Sequence, residues 1–92
     1  MDERARVRLG ALIIIETLFE EKKDSFEKIL KEVWDLLKNE NDIIRGDAAY
    51  ALSLLKFKES IAILNSYRND TNSNVREIIE ESLEELKAQF RE

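Results

Sequence analysis

The chain has 92 residues, with 20 acids against 15 bases and no histidine, cysteine or proline. Those absences remove the commonest general base and transition-metal ligand, all thiol chemistry, and the strongest helix breaker. A chain of this length makes one domain, and a net charge of −5 with acids and bases interleaved speaks against the clustered basic surface that nucleic acid requires.

Apolar residues recur with the 3.6-residue period throughout, which predicts five helices. The first spans about residues 2–20, with Val7, Ala11, Ile14, Ile15 and Leu18 inward. Its longest apolar run, Leu9 to Ile15, is interrupted only by Gly10 and falls far short of the roughly 20 residues that cross a bilayer. A basic start diluted by Asp2 and Glu3, with Glu16 after the run, is not a signal-peptide pattern. A soluble, cytoplasmic protein is expected. After the turn Glu21-Lys22-Lys23, Asp24 is expected to cap a second helix to Lys38, with Glu27 completing a capping box. That helix carries Phe26, Ile29, Leu30, Val33, Leu36 and Leu37 on one face.

Asn41 or Asp42 caps the third helix, whose stripe is Ile44, Ala48, Ala51, Leu52 and Leu55. Lys56 to Lys58 form a tight turn. A short fourth helix, Glu59–Arg68, buries Ile61, Leu64 and Tyr67. The segment Asn69 to Asn74 is a run of turn and capping residues, and the fifth helix runs from about Asn74 to Arg91. The short connections predict sequential helices packed as antiparallel neighbours.

Three of these helices open on the same phrase: Val7-Arg8, Ile44-Arg45 and Val75-Arg76, at offsets of 37 and 31 residues. Each phrase precedes the same inward spacing, as in Ala48, Leu52 and Leu55. A repeat of this length predicts stacked helical units. In the stretch from Ile44 to Asp70 the Ile-Arg opening, the AxxAL core, a second amphipathic helix and a closing Asp occur together. On these residues the chain resembles the HEAT-repeat superfamily, and more closely its short-repeat branch of the phycobilisome-lyase type. The resemblance implies an all-α, right-handed alpha-alpha superhelix (a HEAT-like solenoid) of about two and a half repeats. Repeat 1 would cover about 2–40, repeat 2 about 41–70, and a C-terminal capping helix about 72–91. It also implies that the second and fourth helices line a concave binding face, where Lys28, Lys31, Asp35, Lys38, Asn65 and Arg68 are candidate contacts.

Arg8, Arg45 and Arg76 sit near helix N-termini, where a cation is unfavourable by about 0.3–1 kcal/mol. Repeating that choice predicts compensating carboxylates, with Asp42, Asp70 and Asp47 within reach in sequence. In the family such residues form a ladder between adjacent repeats. The alternatives are solvated arginines or a ligand-binding role.

The outer positions of the three first helices change along the chain. Leu12 and Ile13 align with Ala49 and Tyr50 and then with Glu80 and Glu81. The last helix therefore has the polar outer side of a terminal cap. The first is apolar nearly all round, as a fully buried helix would be. Three arrangements would satisfy Leu12, Ile13 and Phe19: a homodimer through this helix, docking on another protein, or a covering second helix. Trp34 lies at the edge of its stripe and reads either as an interface anchor or as a core residue with its indole N–H in water.

No catalytic constellation is visible: no Ser-His-Asp or Cys-His set, no glycine-rich phosphate loop, no metal-ligand cluster. The acidic run from Glu77 to Glu85 reads as a solvated face. No cofactor is expected. The expected function is non-catalytic binding of a protein partner. The alternatives are a subunit completing a longer array or, from the resemblance alone, a lyase-like accessory protein.

Overall fold

The computed structural model describes residues 3–21 and 25–91. Among them are five α-helices and no strand: α1 (Glu3–Glu21), α2 (Phe26–Leu36), α3 (Asp42–Leu55), α4 (Glu59–Asn65) and α5 (Ser73–Gln89). No described helix is long and apolar enough to cross a membrane.

Local chemistry sets the helix starts. Ser25 caps α2 by accepting from the Lys28 amide, so the described cap is one residue beyond Asp24, which lies outside the described residues. Asn41 caps α3 through the Ile43 amide. Asn72 caps α5 through the amides of Asn74 and Val75. Each cap satisfies donors that the first turn leaves without a helical partner.

Two helix ends fall short of the sequence expectation, for a common reason. After Leu36 the amides of Leu37, Lys38 and Asn39 each donate to the carbonyl three residues back. After Asn65 those of Tyr67, Arg68 and Asp70 do the same. The tighter bonding takes up carbonyls at the helix end, and the α-helical ladder stops. α3 ends differently, with Lys56 in the left-handed region at φ 43°. That residue turns the chain sharply into α4.

α3 is the centre of the molecule. It packs against both α1 and α5 and also against α2, while α2 also contacts α1 and α4 contacts α5. The core runs through all five: Val7 and Ala11 of α1, Ile29, Leu30 and Val33 of α2, Ala48 and Leu52 of α3, Leu64 of α4, and Val75, Ile79, Leu83 and Leu86 of α5 are buried. Small residues set the spacing between helices. A Cβ at Gly46 would lie 3.0 Å from Ile78 Cδ1, so α3 approaches α5 closely there.

Phe26 departs from its expected core position. It is largely exposed, and it instead links α1 to the α3–α4 turn. Its ring centroid lies 6.5 Å from Phe19 and 6.0 Å from Phe57, the latter edge-on.

Candidate interaction surface

The 31-residue repeat is visible at the level of single hydrogen bonds. Asn39 Oδ1 accepts from the Asn41 amide at 2.9 Å, and Asp70 Oδ1 accepts from the Asn72 amide at 2.9 Å. Asn41 and Asn72 then cap the two helices. One turn on, Arg45 Nη1 donates back to the Asn39 carbonyl at 2.9 Å, and Arg76 Nη1 donates back to the Asp70 carbonyl at 2.7 Å. Each arginine thus fastens its own helix to the turn that precedes it.

Arg45 also joins the two units. Its Nε and Nη2 donate to the two oxygens of Asp70 at 2.8 and 3.0 Å, a fork-to-fork pair with both side chains largely buried. Burial pushes the Asp70 carboxyl upward. The Arg45 hydrogen bonds, the Asn72 amide and the charges of Arg45 and Arg76 outweigh that effect and hold it below the usual carboxylate value. Asp42 accepts from the Asn72 side-chain amide and thereby ties the first residue of α3 to the cap of α5.

Arg8 does not continue this series. It is exposed and donates through Nε to the Tyr50 hydroxyl at 3.1 Å. The carboxylate contact falls to Arg6, whose Nη2 lies 2.9 Å from Asp47 Oδ1. The physical reason is Gly10. A Cβ there would come within 2.0 Å of Asp47 Oδ2, so a side chain fits between α1 and α3 at this point only if Asp47 moves away. This close approach turns α1 so that Arg6, and not Arg8, faces the buried Asp47. Gly10→Ala is therefore expected to displace Asp47 and break its pair with Arg6. The expected loss of stability is about 1–3 kcal/mol, read as a lower urea midpoint with an unchanged m-value.

The same rotation exposes an apolar stripe. Leu9, Leu12 and Ile13 are 50, 44 and 55% exposed, so the second helix does not cover them. Phe19, 39% exposed and two turns beyond Leu12, also touches Phe26. On α5 the outer residues Glu77, Glu80 and Glu84 are all exposed.

On the α2 side a groove of about 590 Å3 is walled by Phe26, Leu30, Trp34 and Phe57, with Lys31 and Glu59 at its rim. Trp34 is half-buried, and its indole N–H does not rely on water. It donates to Ser60 Oγ at 3.0 Å, and Ser60 is fully buried. The sequence marks Trp34, but Ser60 gives no signal. The remaining candidate residues, Lys28, Lys31, Asp35, Lys38, Asn65 and Arg68, are exposed. Lys31 pairs with Glu27 at 3.9 Å and Lys38 with Asp35 at 3.7 Å on α2 itself, and Arg68 reaches Glu80 at 2.8 Å. Such exposed pairs contribute little to stability.

Comparison with protein families, curated proteins and solved structures finds no match to this chain.

Proposed function

We propose that the chain is a non-catalytic protein-interaction module, built as a HEAT-like right-handed stack of about two and a half repeats, that self-associates through the outer face of α1. The observation that carries the function is the exposed stripe Leu9, Leu12 and Ile13. Leaving aliphatic area in water forfeits about 25 cal/mol per Å2, and apolar patches on soluble proteins mark contact sites. The duplicated turn-and-arginine bonding at residues 39–45 and 70–76 supports the stacked-repeat part of the proposal. The acidic outer side of α5 fits a terminal cap.

Mass in solution, by light scattering across a concentration series, tests the association. The chain should form dimers that dissociate on dilution. Ile13→Glu should be monomeric at every concentration. Because Ile13 is more than half exposed, its melting temperature should stay close to that of the unaltered chain, within about 0.5 kcal/mol of stability. An Ile13→Glu variant with unchanged mass would remove α1 as the contact surface.

A further inference from the structure

The open face of α1 has a charge polarity along its length. Its basic group is Arg8, since Arg4 pairs with Glu81 and Arg6 with Asp47 of the same chain, and the C-terminal half carries Glu16 and Glu20 with no described base. At 100° per residue, Ala5, Leu9, Leu12 and Ile13 share this face with Glu16 and Glu20, while Arg8 stands on its rim. All seven are exposed.

Resting on the self-association proposed above, we infer that two copies pair through α1 in antiparallel orientation, about a two-fold axis that passes between Leu12 and Ile13. Leu12 then lies opposite Ile13 of the second copy, Leu9 opposite the aliphatic stem of Glu16, and Ala5 opposite Glu20. Arg8 of each copy meets the Glu16 and Glu20 carboxylates of the other, once at each end of the contact. The two competing arrangements fail on charge. Parallel pairing sets Glu16 on Glu16 and Glu20 on Glu20, a like-charge contact. Head-to-tail stacking sets the apolar stripe on Glu77 and Glu84 of α5 and takes carboxylates out of water against aliphatic side chains. It would also propagate without closing, whereas the two-fold pair closes on itself. Three aliphatic side chains per copy make a contact well below the roughly 1,600 Å2 of a standard interface, so the dimer is a weak one. The charges then set its orientation more than its affinity.

The chain has no cysteine, so introduced thiols report without background. Residues 5 and 20 are about 22 Å apart along one helix, far beyond disulfide reach, so a bond between them must join two copies. Ala5→Cys and Glu20→Cys are prepared separately and oxidised alone and as a mixture, at a concentration where light scattering shows a dimer. The expected result is a covalent dimer in the mixture and at most traces in either variant alone. A covalent dimer from Ala5→Cys alone would overturn the antiparallel pairing in favour of a parallel one. A mixture that stays uncrosslinked while its mass is dimeric would overturn it in favour of another face. A chain that is monomeric at every concentration would overturn the self-association itself, and the mass measurement separates that failure from the other two.

Discussion

Arg45→Ala is expected to cost about 3 kcal/mol, the low end for removing one partner of a buried ion pair. For a domain of this size that is a fall in melting temperature of roughly 12–24 °C. The loss is large because one side chain holds three things together. Without it the buried Asp70 carboxylate keeps only the Asn72 amide and the more distant Arg76 charge, the Asn39 carbonyl loses its donor, and the two repeated turns lose their fork-to-fork link. Lys31→Ala, which removes an exposed pair at 3.9 Å, should shift stability by less than about 0.5 kcal/mol. Equal effects of the two substitutions would show that the Arg45 pair is no stronger than a surface contact. Arg45→Lys should fall between them, since an ammonium cannot reach both Asp70 oxygens and the Asn39 carbonyl at once.

Acid should expose the same pair. Asp70 is held below its ordinary value of 3.8, so the unfolded chain takes up the proton first as pH falls. The stabilisation is therefore complete above that ordinary value and is lost as pH drops through the lower folded-state value. The guanidinium stays charged throughout. Asp70→Asn should lower stability near neutral pH and flatten its decline in acid. An acid slope unchanged in Asp70→Asn would mean that other carboxylates carry it.

The helices themselves were legible in the sequence, because a chain without proline and with a clear apolar period leaves few alternatives. The repeated turn was legible where one spacing governs both copies: Arg45 and Arg76 sit 31 residues apart and make the same bond to the turn before them. It was not legible at α1. There the phrase Val7-Arg8 copies the wording of the later helices, but Gly10 against Asp47 fixes the rotation, and a glycine in a helix does not announce which side chain it admits. Arg6 therefore takes the position that the phrase assigned to Arg8. Ser60 was missed for a related reason. A serine in an amphipathic helix reads as surface, and only its proximity to Trp34 across two helices explains why burying it is tolerated. Phe26 was misplaced because a large aromatic at the start of a stripe reads as core, whereas here it packs against Phe19 near the end of α1 and Phe57 in the α3–α4 turn.

Under the proposed self-association, the rotation of α1 would also tie stability to association. The contacts that seat α1 on α3, Gly10 against Asp47 and Arg6 on Asp47, are the ones that turn Leu9, Leu12 and Ile13 outward. A sequence selected only for a stable monomer would gain by placing polar residues at those three positions, as α5 does at Glu77, Glu80 and Glu81. The exposed faces of α1 and α5 are therefore chemically unlike, aliphatic on the first and acidic on the second.

Trp34→Ala is expected to be the most damaging change on the α2 side, at about 3 kcal/mol, the low end for removing an indole because Trp34 is half-buried. Two terms contribute. The ring is a wall of the groove and packs on the core, and its N–H is the donor to the Ser60 hydroxyl, which has no access to solvent. Trp34→Phe separates them. It keeps an aromatic ring and removes the donor, so the remaining loss should be about 1–2 kcal/mol, the usual effect of leaving a buried polar atom with one partner fewer. Adding Ser60→Ala to Trp34→Phe should then restore part of that loss, since both polar partners are gone together. Urea unfolding followed by far-ultraviolet dichroism measures all three. Trp34 is the only tryptophan, so the emission of Ser60→Ala reports the indole directly and should shift as its N–H loses the serine. A Trp34→Ala midpoint equal to that of the unaltered chain would instead make Trp34 a surface residue with no part in joining α2 to α4.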